Sequence, residues 1–86
     1  MPSYSITFSR SARKELEALS NPLIARILKK IEALAANPRP HGCLKLIGSE
    51  DLWRIRIGDY RVIYSIENKQ ITVDIIAVRH RSEAYD

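Results

Sequence analysis

The sequence predicts a small α+β domain in the order β-α-α-β-β-β-β, with two N-terminal helices packed on one face of an antiparallel sheet. Three observations carry this. Apolar residues recur at helical spacing in the first part of the chain, up to Ala35. From Leu44 onward they alternate with a period of two. Between these stretches, Asn37-Pro38-Arg39-Pro40-His41-Gly42 cannot continue a helix and reads as a loop. With 86 residues, no repeat and no linker, the chain is expected to form one domain over 1–86.

Tyr4, Ile6 and Phe8 alternate with Ser5 and Thr7, which predicts a strand with one buried face. Ser9 or Ser11 can cap the helix that follows, where Ala12, Leu16 and Leu19 form a narrow apolar stripe among Arg13, Lys14, Glu15 and Glu17. Asn21-Pro22 restarts the chain as a second helix, with Asn as the cap and Pro at a position where its missing N–H costs nothing. Ile24, Ile27, Leu28, Ile31, Leu34 and Ala35 face the core; Arg26, Lys29, Lys30 and Glu32 face away. Leu44 to Ile47 is a short strand. Leu52–Ile57, Tyr60–Ile66 and Ile71–Val78 are longer ones, rich in Ile, Val and Tyr.

Gly58-Asp59 suits a two-residue hairpin, and Asn68-Lys69 is a weaker candidate for a second. Turn length sets register. The first turn pairs Ile57 with Tyr60, Arg56 with Arg61, Ile55 with Val62 and Arg54 with Ile63. The second pairs Tyr64 with Val73, Val62 with Ile75, Ile63 with Asp74 and Arg61 with Ile76. One face then carries Trp53, Ile55, Ile57, Tyr60, Val62 and Tyr64. The other carries Arg54, Arg56 and Arg61. Like charges placed opposite each other destabilise a sheet. Such a face is either solvated, with arginine stems covering apolar surface, or an anion site. The planar guanidinium fork, matched to phosphate oxygens, favours the anion site.

Composition narrows the function. Fourteen Lys/Arg against ten Asp/Glu give a net charge of +4 and permit a nucleic-acid partner. The excess is spread out: residues 1–51 hold 8 basic and 5 acidic residues, residues 52–86 hold 6 and 5. A basic site must therefore be assembled by folding. One cysteine excludes an internal disulfide. No apolar run is long enough to span a membrane, and residues 1–10 lack a signal-like core, so a reducing cytoplasm is the expected compartment. Cys43 and His41 read as packing and loop residues, and Lys29 and Lys30 as solubilising surface.

The last strand runs into Val78-Arg79-His80-Arg81-Ser82-Glu83-Ala84-Tyr85-Asp86. This tail, together with Asn37-Pro38-Arg39-Pro40, Lys45-Leu46 and the block from Trp53 to Tyr64, resembles the RelE family of bacterial type II toxins in the RelE/ParE superfamily. The likeness covers nearly the whole chain. It implies a ribosome-dependent mRNA endonuclease that enters the 30S A site, cuts the mRNA there, and is held inactive by a cognate antitoxin. Carried over by motif, the family's basic strand pair falls on Arg54 and Arg56, its strand arginine on Arg61, its tail arginine on Arg79 with Arg81 beside it, and its terminal tyrosine on Tyr85. The best-known pattern has lysines where Arg54 and Arg56 stand, and arginine cannot act as a general base.

The implied reaction is attack of a ribose 2′-OH on the adjacent phosphate, giving a 2′,3′-cyclic phosphate. RNA supplies the nucleophile, so no metal and no cofactor is expected. Arg61 and Arg79 are expected to stabilise charge on the phosphate, with Arg54, Arg56, Arg81 and Lys45 contacting RNA. Tyr85 is the first candidate for proton transfer, because adjacent guanidiniums favour the phenolate, and His80 is the second. Two other classes stay open: a ParE-type toxin acting on DNA gyrase, and a non-catalytic RNA-binding relative.

Overall fold

A computed structural model describes residues 3–82. The elements are β1 (Ser5–Phe8), α1 (Arg10–Glu17), α2 (Asn21–Ala33), β2 (Leu44–Lys45), β3 (Leu52–Ile57), β4 (Tyr60–Glu67) and β5 (Thr72–His80). The strands form one five-stranded sheet in the order β1-β5-β4-β3-β2. Neighbours from β2 to β5 are antiparallel, as expected. β1 joins β5 in parallel, a pairing that the period of two could not reveal.

Both helices cover one face. Ala12 and Leu16 of α1, Ile27 and Ile31 of α2, and Leu34 after it pack on Ile55, Ile57, Val62, Tyr64, Val73, Ile75 and Val78. Arg26, Lys29, Lys30 and Glu32 are exposed, as the spacing predicts. Ser9 is the α1 cap; its Oγ accepts from Ala12 N–H at 3.0 Å. The cap of α2 is Ser20 rather than Asn21, which is already the first helical residue; no side-chain bond forms there.

The loop after α2 is fixed from the sheet. The buried Tyr64 hydroxyl donates to Pro38 O at 2.7 Å, and the Arg39 guanidinium lies 5.0 Å from the Trp53 ring centroid. Burial, helped by Cys43, pushes the Tyr64 phenol well above its ordinary range, so it stays a neutral donor.

The β3–β4 register is the expected one at every pair, from Ile57↔Tyr60 to Arg54↔Ile63. The β4–β5 register is not. Its ladder closes at Glu67↔Thr72, so the turn holds residues 68–71 rather than Asn68-Lys69 alone. Tyr64 then faces Ile75, two positions beyond the expected Val73. An even shift keeps each residue on its face. Between Ile63 and Tyr64 the ladder breaks in a β-bulge, where Ile76 is the extra residue on β5. Beyond it Ile63 meets Ala77 rather than Asp74, Val62 meets Val78 rather than Ile75, and Arg61 meets Arg79 rather than Ile76. The bulge is tied to α1: Ile76 O accepts from Ser9 Oγ at 2.9 Å and from Ser11 Oγ at 3.5 Å.

Candidate functional site

The bulge assembles the site. Arg56 on β3 pairs with Arg61 on β4, and Arg61 pairs with Arg79 on β5. Three guanidinium-bearing residues thus stand in one row across adjacent strands spaced by about 4.8 Å. Without the extra residue, continuing the turn-side register would set Val78 against Arg61 and rotate Arg79 to the helix side. The row lies on the face away from the helices, because Val62 and Ile57, its alternating neighbours, are buried under them.

At the hairpin end a cleft of about 560 Å³ opens beside this row, lined by Arg56, Gly58, Asp59, Tyr60, Arg61, Arg81 and Ser82. Arg81 is drawn to it through its backbone: Arg81 N–H donates to Asp59 O at 2.8 Å. Its guanidinium also lies 4.0 Å from the Asp59 carboxylate, an exposed pair. Gly58 permits the tight turn, with φ of +59°. Arg56 and Arg81 are exposed, Arg61 and Arg79 half-buried, and Arg61 Nε is fully buried. The end of the row on β5 is flanked by an acid. Glu15 of α1 accepts from Arg79 Nε at 3.1 Å and from Val78 N–H at 3.0 Å.

The other sequence-derived candidates separate from this group. Arg54 shares the face, but it is 6% exposed and sits between Leu44 and Ile63 in register. It lines two smaller clefts, one of about 300 Å³ with Lys30, His41 and Arg56, and one of about 130 Å³ with Lys45 and Ile47. Lys45 is exposed on the short edge strand, in register with Trp53 and apart from the row. His80 pairs with Tyr60, on the opposite face from Arg79, and their rings meet edge-on at 5.3 Å. Ser82 N–H donates to His80 Nδ1 at 3.2 Å, which leaves Nε2 as the proton-bearing nitrogen of the neutral ring. Tyr85 lies outside the described residues. Tyr60, on the apolar face as expected, is half-buried against the core and also borders the cleft.

Glu15 was not singled out by sequence reasoning. The signal was its spacing: three residues after Ala12 and four before Leu19, it lies on the inward side of α1 while Arg13 and Lys14 are exposed. Among the described residues, no three His, Cys, Asp or Glu side chains are placed to hold a metal ion. No helix among them is long and apolar enough to cross a membrane. A cleft bordered by permanently charged, planar, multi-donor groups is suited to gripping the oxygens of a phosphodiester.

The chain is similar to known toxins along nearly its whole length. The family model described as the ParE toxin of type II toxin–antitoxin system, parDE, matches residues 6–85. The mRNA interferase toxin RelE of Escherichia coli is 30% identical over 86 residues, covering 95% of this chain and 90% of that protein. Among solved structures, RelE in the archaeal RelE–RelB complex from Pyrococcus horikoshii superposes with a TM-score of 0.82 at 32% identity, covering 95% of this chain and 99% of the other. The toxin–antitoxin complex RelBE2 from Mycobacterium tuberculosis gives 0.84 at 27% identity, covering 96% and 97%. On the family match, the identity and the shared fold together, this chain belongs to the RelE/ParE superfamily and is a RelE-type toxin of a type II toxin–antitoxin system.

Proposed function

We propose that this toxin is a ribosome-dependent mRNA endonuclease of the cytoplasm, docking in the 30S A site and inhibited by a cognate antitoxin. The observation that carries the reading is the Arg56–Arg61–Arg79 row beside the Arg81 cleft. The relative named mRNA interferase supports the activity, and the relatives solved as RelE–RelB complexes support the antitoxin. In the proposed step a ribose 2′-oxygen bonds to the adjacent phosphorus and the bond to the 5′-oxygen breaks. The leaving 5′-oxygen takes a proton from water, so the products are a 2′,3′-cyclic phosphate and a 5′-OH, and because the RNA supplies its own nucleophile no metal is required. Arg61 and Arg79 stabilise charge on the non-bridging oxygens, while Arg56 and Arg81 hold the RNA backbone. Arg54 contributes from the same face, and Lys45 from the sheet edge. Tyr85 takes the 2′-OH proton ahead of His80, whose ring belongs to the opposite face.

Purified ribosomes programmed with a defined mRNA test this. New 5′ ends inside codons, formed only when ribosomes are present, are expected. Arg61→Ala should reduce cleavage by about 10²–10³-fold, in line with losing one donor to a developing oxyanion, while antitoxin binding survives. Unchanged cutting by this variant would remove Arg61 from the site. The name of the family model favours a second reading, inhibition of DNA gyrase. Blocked supercoiling with intact mRNA would select it.

A further inference from the structure

We propose that Glu15 is a positioning residue that sets the orientation of the Arg79 guanidinium within the arginine row. Its consequence for catalysis rests on the mRNA-cleavage reading above. β1 ends at Phe8, and beyond Ile75 no strand among the described residues lies beside the outer edge of β5. α1 takes over that edge. Ser9 N–H donates to Ile75 O, Ser9 and Ser11 hydroxyls reach Ile76 O, and Glu15 reaches the next positions. One carboxylate oxygen accepts from Val78 N–H at 3.0 Å and the other from Arg79 Nε at 3.1 Å.

The two bonds do different work. The first satisfies a part-buried edge amide, which any acceptor at that place could do. The second fixes the one nitrogen of the guanidinium that lies on the side-chain stem. A guanidinium carries five N–H groups in a rigid plane. Holding Nε–H stops rotation of that plane, while the four N–H groups of the two terminal nitrogens remain for a ligand. Because Glu15 is anchored through Val78, the residue before Arg79, backbone and side chain are held by one group. The carboxylate also places a negative charge at the end of three adjacent cations, which offsets their repulsion without occupying the cleft beside Arg56 and Arg61. This arrangement makes Arg79 a pre-oriented donor rather than a mobile surface cation.

Glu15→Gln tests this. Gln keeps size and helix propensity but presents an amide NH₂ to one of the two donors, so one bond is lost. With ribosome-bound mRNA as substrate, kcat is expected to fall about tenfold and KM to stay unchanged. In an Arg79→Lys background, which has no Nε–H to hold, the same change should cost less than about twofold. An equal fold-loss in both backgrounds would assign Glu15 to the edge amide alone and overturn the proposal. A second measurement needs no catalysis. In ¹⁵N spectra of the wild-type chain, Arg79 Nε–Hε should exchange with water more slowly than those of the exposed Arg10 and Arg13, and Glu15→Gln should abolish the difference. If the wild-type toxin does not cut mRNA, the cleavage reading fails and this exchange measurement still decides whether Glu15 holds Arg79. Fast exchange in the wild-type chain would overturn the proposal outright.

Discussion

The β3–β4 and β4–β5 hairpins share a strand but are held in register by different parts of the chain. In the first, a two-residue Gly58-Asp59 turn closes the ladder and every pair follows from it. In the second, a four-residue turn closes the ladder and a bulge at Ile76 resets it halfway. The first register is local. The second depends on α1, whose Ser9 and Ser11 hydroxyls bond the bulge carbonyl. Arg61 belongs to both ladders, with Arg56 from the local one and Arg79 from the one that tertiary contacts set. The candidate site is therefore partly a product of the N-terminal helix, although no α1 residue lines the cleft.

The sharpest way to break this comparison is to move one guanidinium across the sheet. Arg79→His combined with His80→Arg keeps composition and net charge. It shifts the third arginine from Arg61's register to Tyr60's, on the opposite face. Cleavage is expected to drop about 10²-fold, the scale of misplacing one group by little more than an ångström, with folding retained. A merely basic tail would tolerate the exchange, so near-wild-type cutting would show that the register past the bulge does not matter.

A smaller effect is expected from loosening the bulge itself. Ser9 Oγ accepts from Ala12 N–H as the α1 cap and donates to Ile76 O, so one hydroxyl serves helix and bulge. Ser9→Ala should cost about 1–2 kcal/mol, lowering Tm by roughly 4–8 °C per kcal/mol in a domain of this size. Ser20→Ala is the control, since the Ser20 side chain makes no cap bond. Equal losses at the two positions in thermal melts would mean that neither bond of the Ser9 hydroxyl contributes.

What the sequence could and could not convey divides along the same line. Gly58-Asp59 carries its own turn chemistry, so the register from Trp53 to Tyr64 was legible, and with it the Arg56–Arg61 pair. Asn68-Lys69 has no glycine, and no local signal marks Ile76 as an extra residue; the bulge answers to Ser9, far away in sequence. Hence Arg79 read as part of a tail when it is a strand residue facing Arg61. Alternation placed Arg54 on the correct face, but its burial depends on packing that period alone does not encode. The spacing of Glu15 turns it inward, but nothing in the sequence names its partner. Its role shows only when β5 is laid next to α1.

The two turns also differ in backbone strain, and this gives the smallest prediction. Both use a left-handed residue. In the first it is Gly58, with φ +59°, where the conformation costs little; in the second it is Ile71, with φ +52°. A β-branched side chain is the least suited to that region, and Ile71 is 40% exposed, so little packing compensates it. Its backbone is nevertheless used: Ile71 N–H donates to Asn68 O at 3.3 Å, and Ile71 O accepts from Ser5 N–H at 2.8 Å, which starts the parallel β1–β5 pairing. Asn tolerates left-handed geometry and keeps both backbone groups. Ile71→Asn should therefore stabilise the fold by about 1 kcal/mol, the lower end of the cost of such strain. Denaturant unfolding with an unchanged m-value would show it as a higher midpoint. A lower midpoint would mean that the exposed side chain contributes more than its backbone costs, and that the long turn is held as firmly as the tight one.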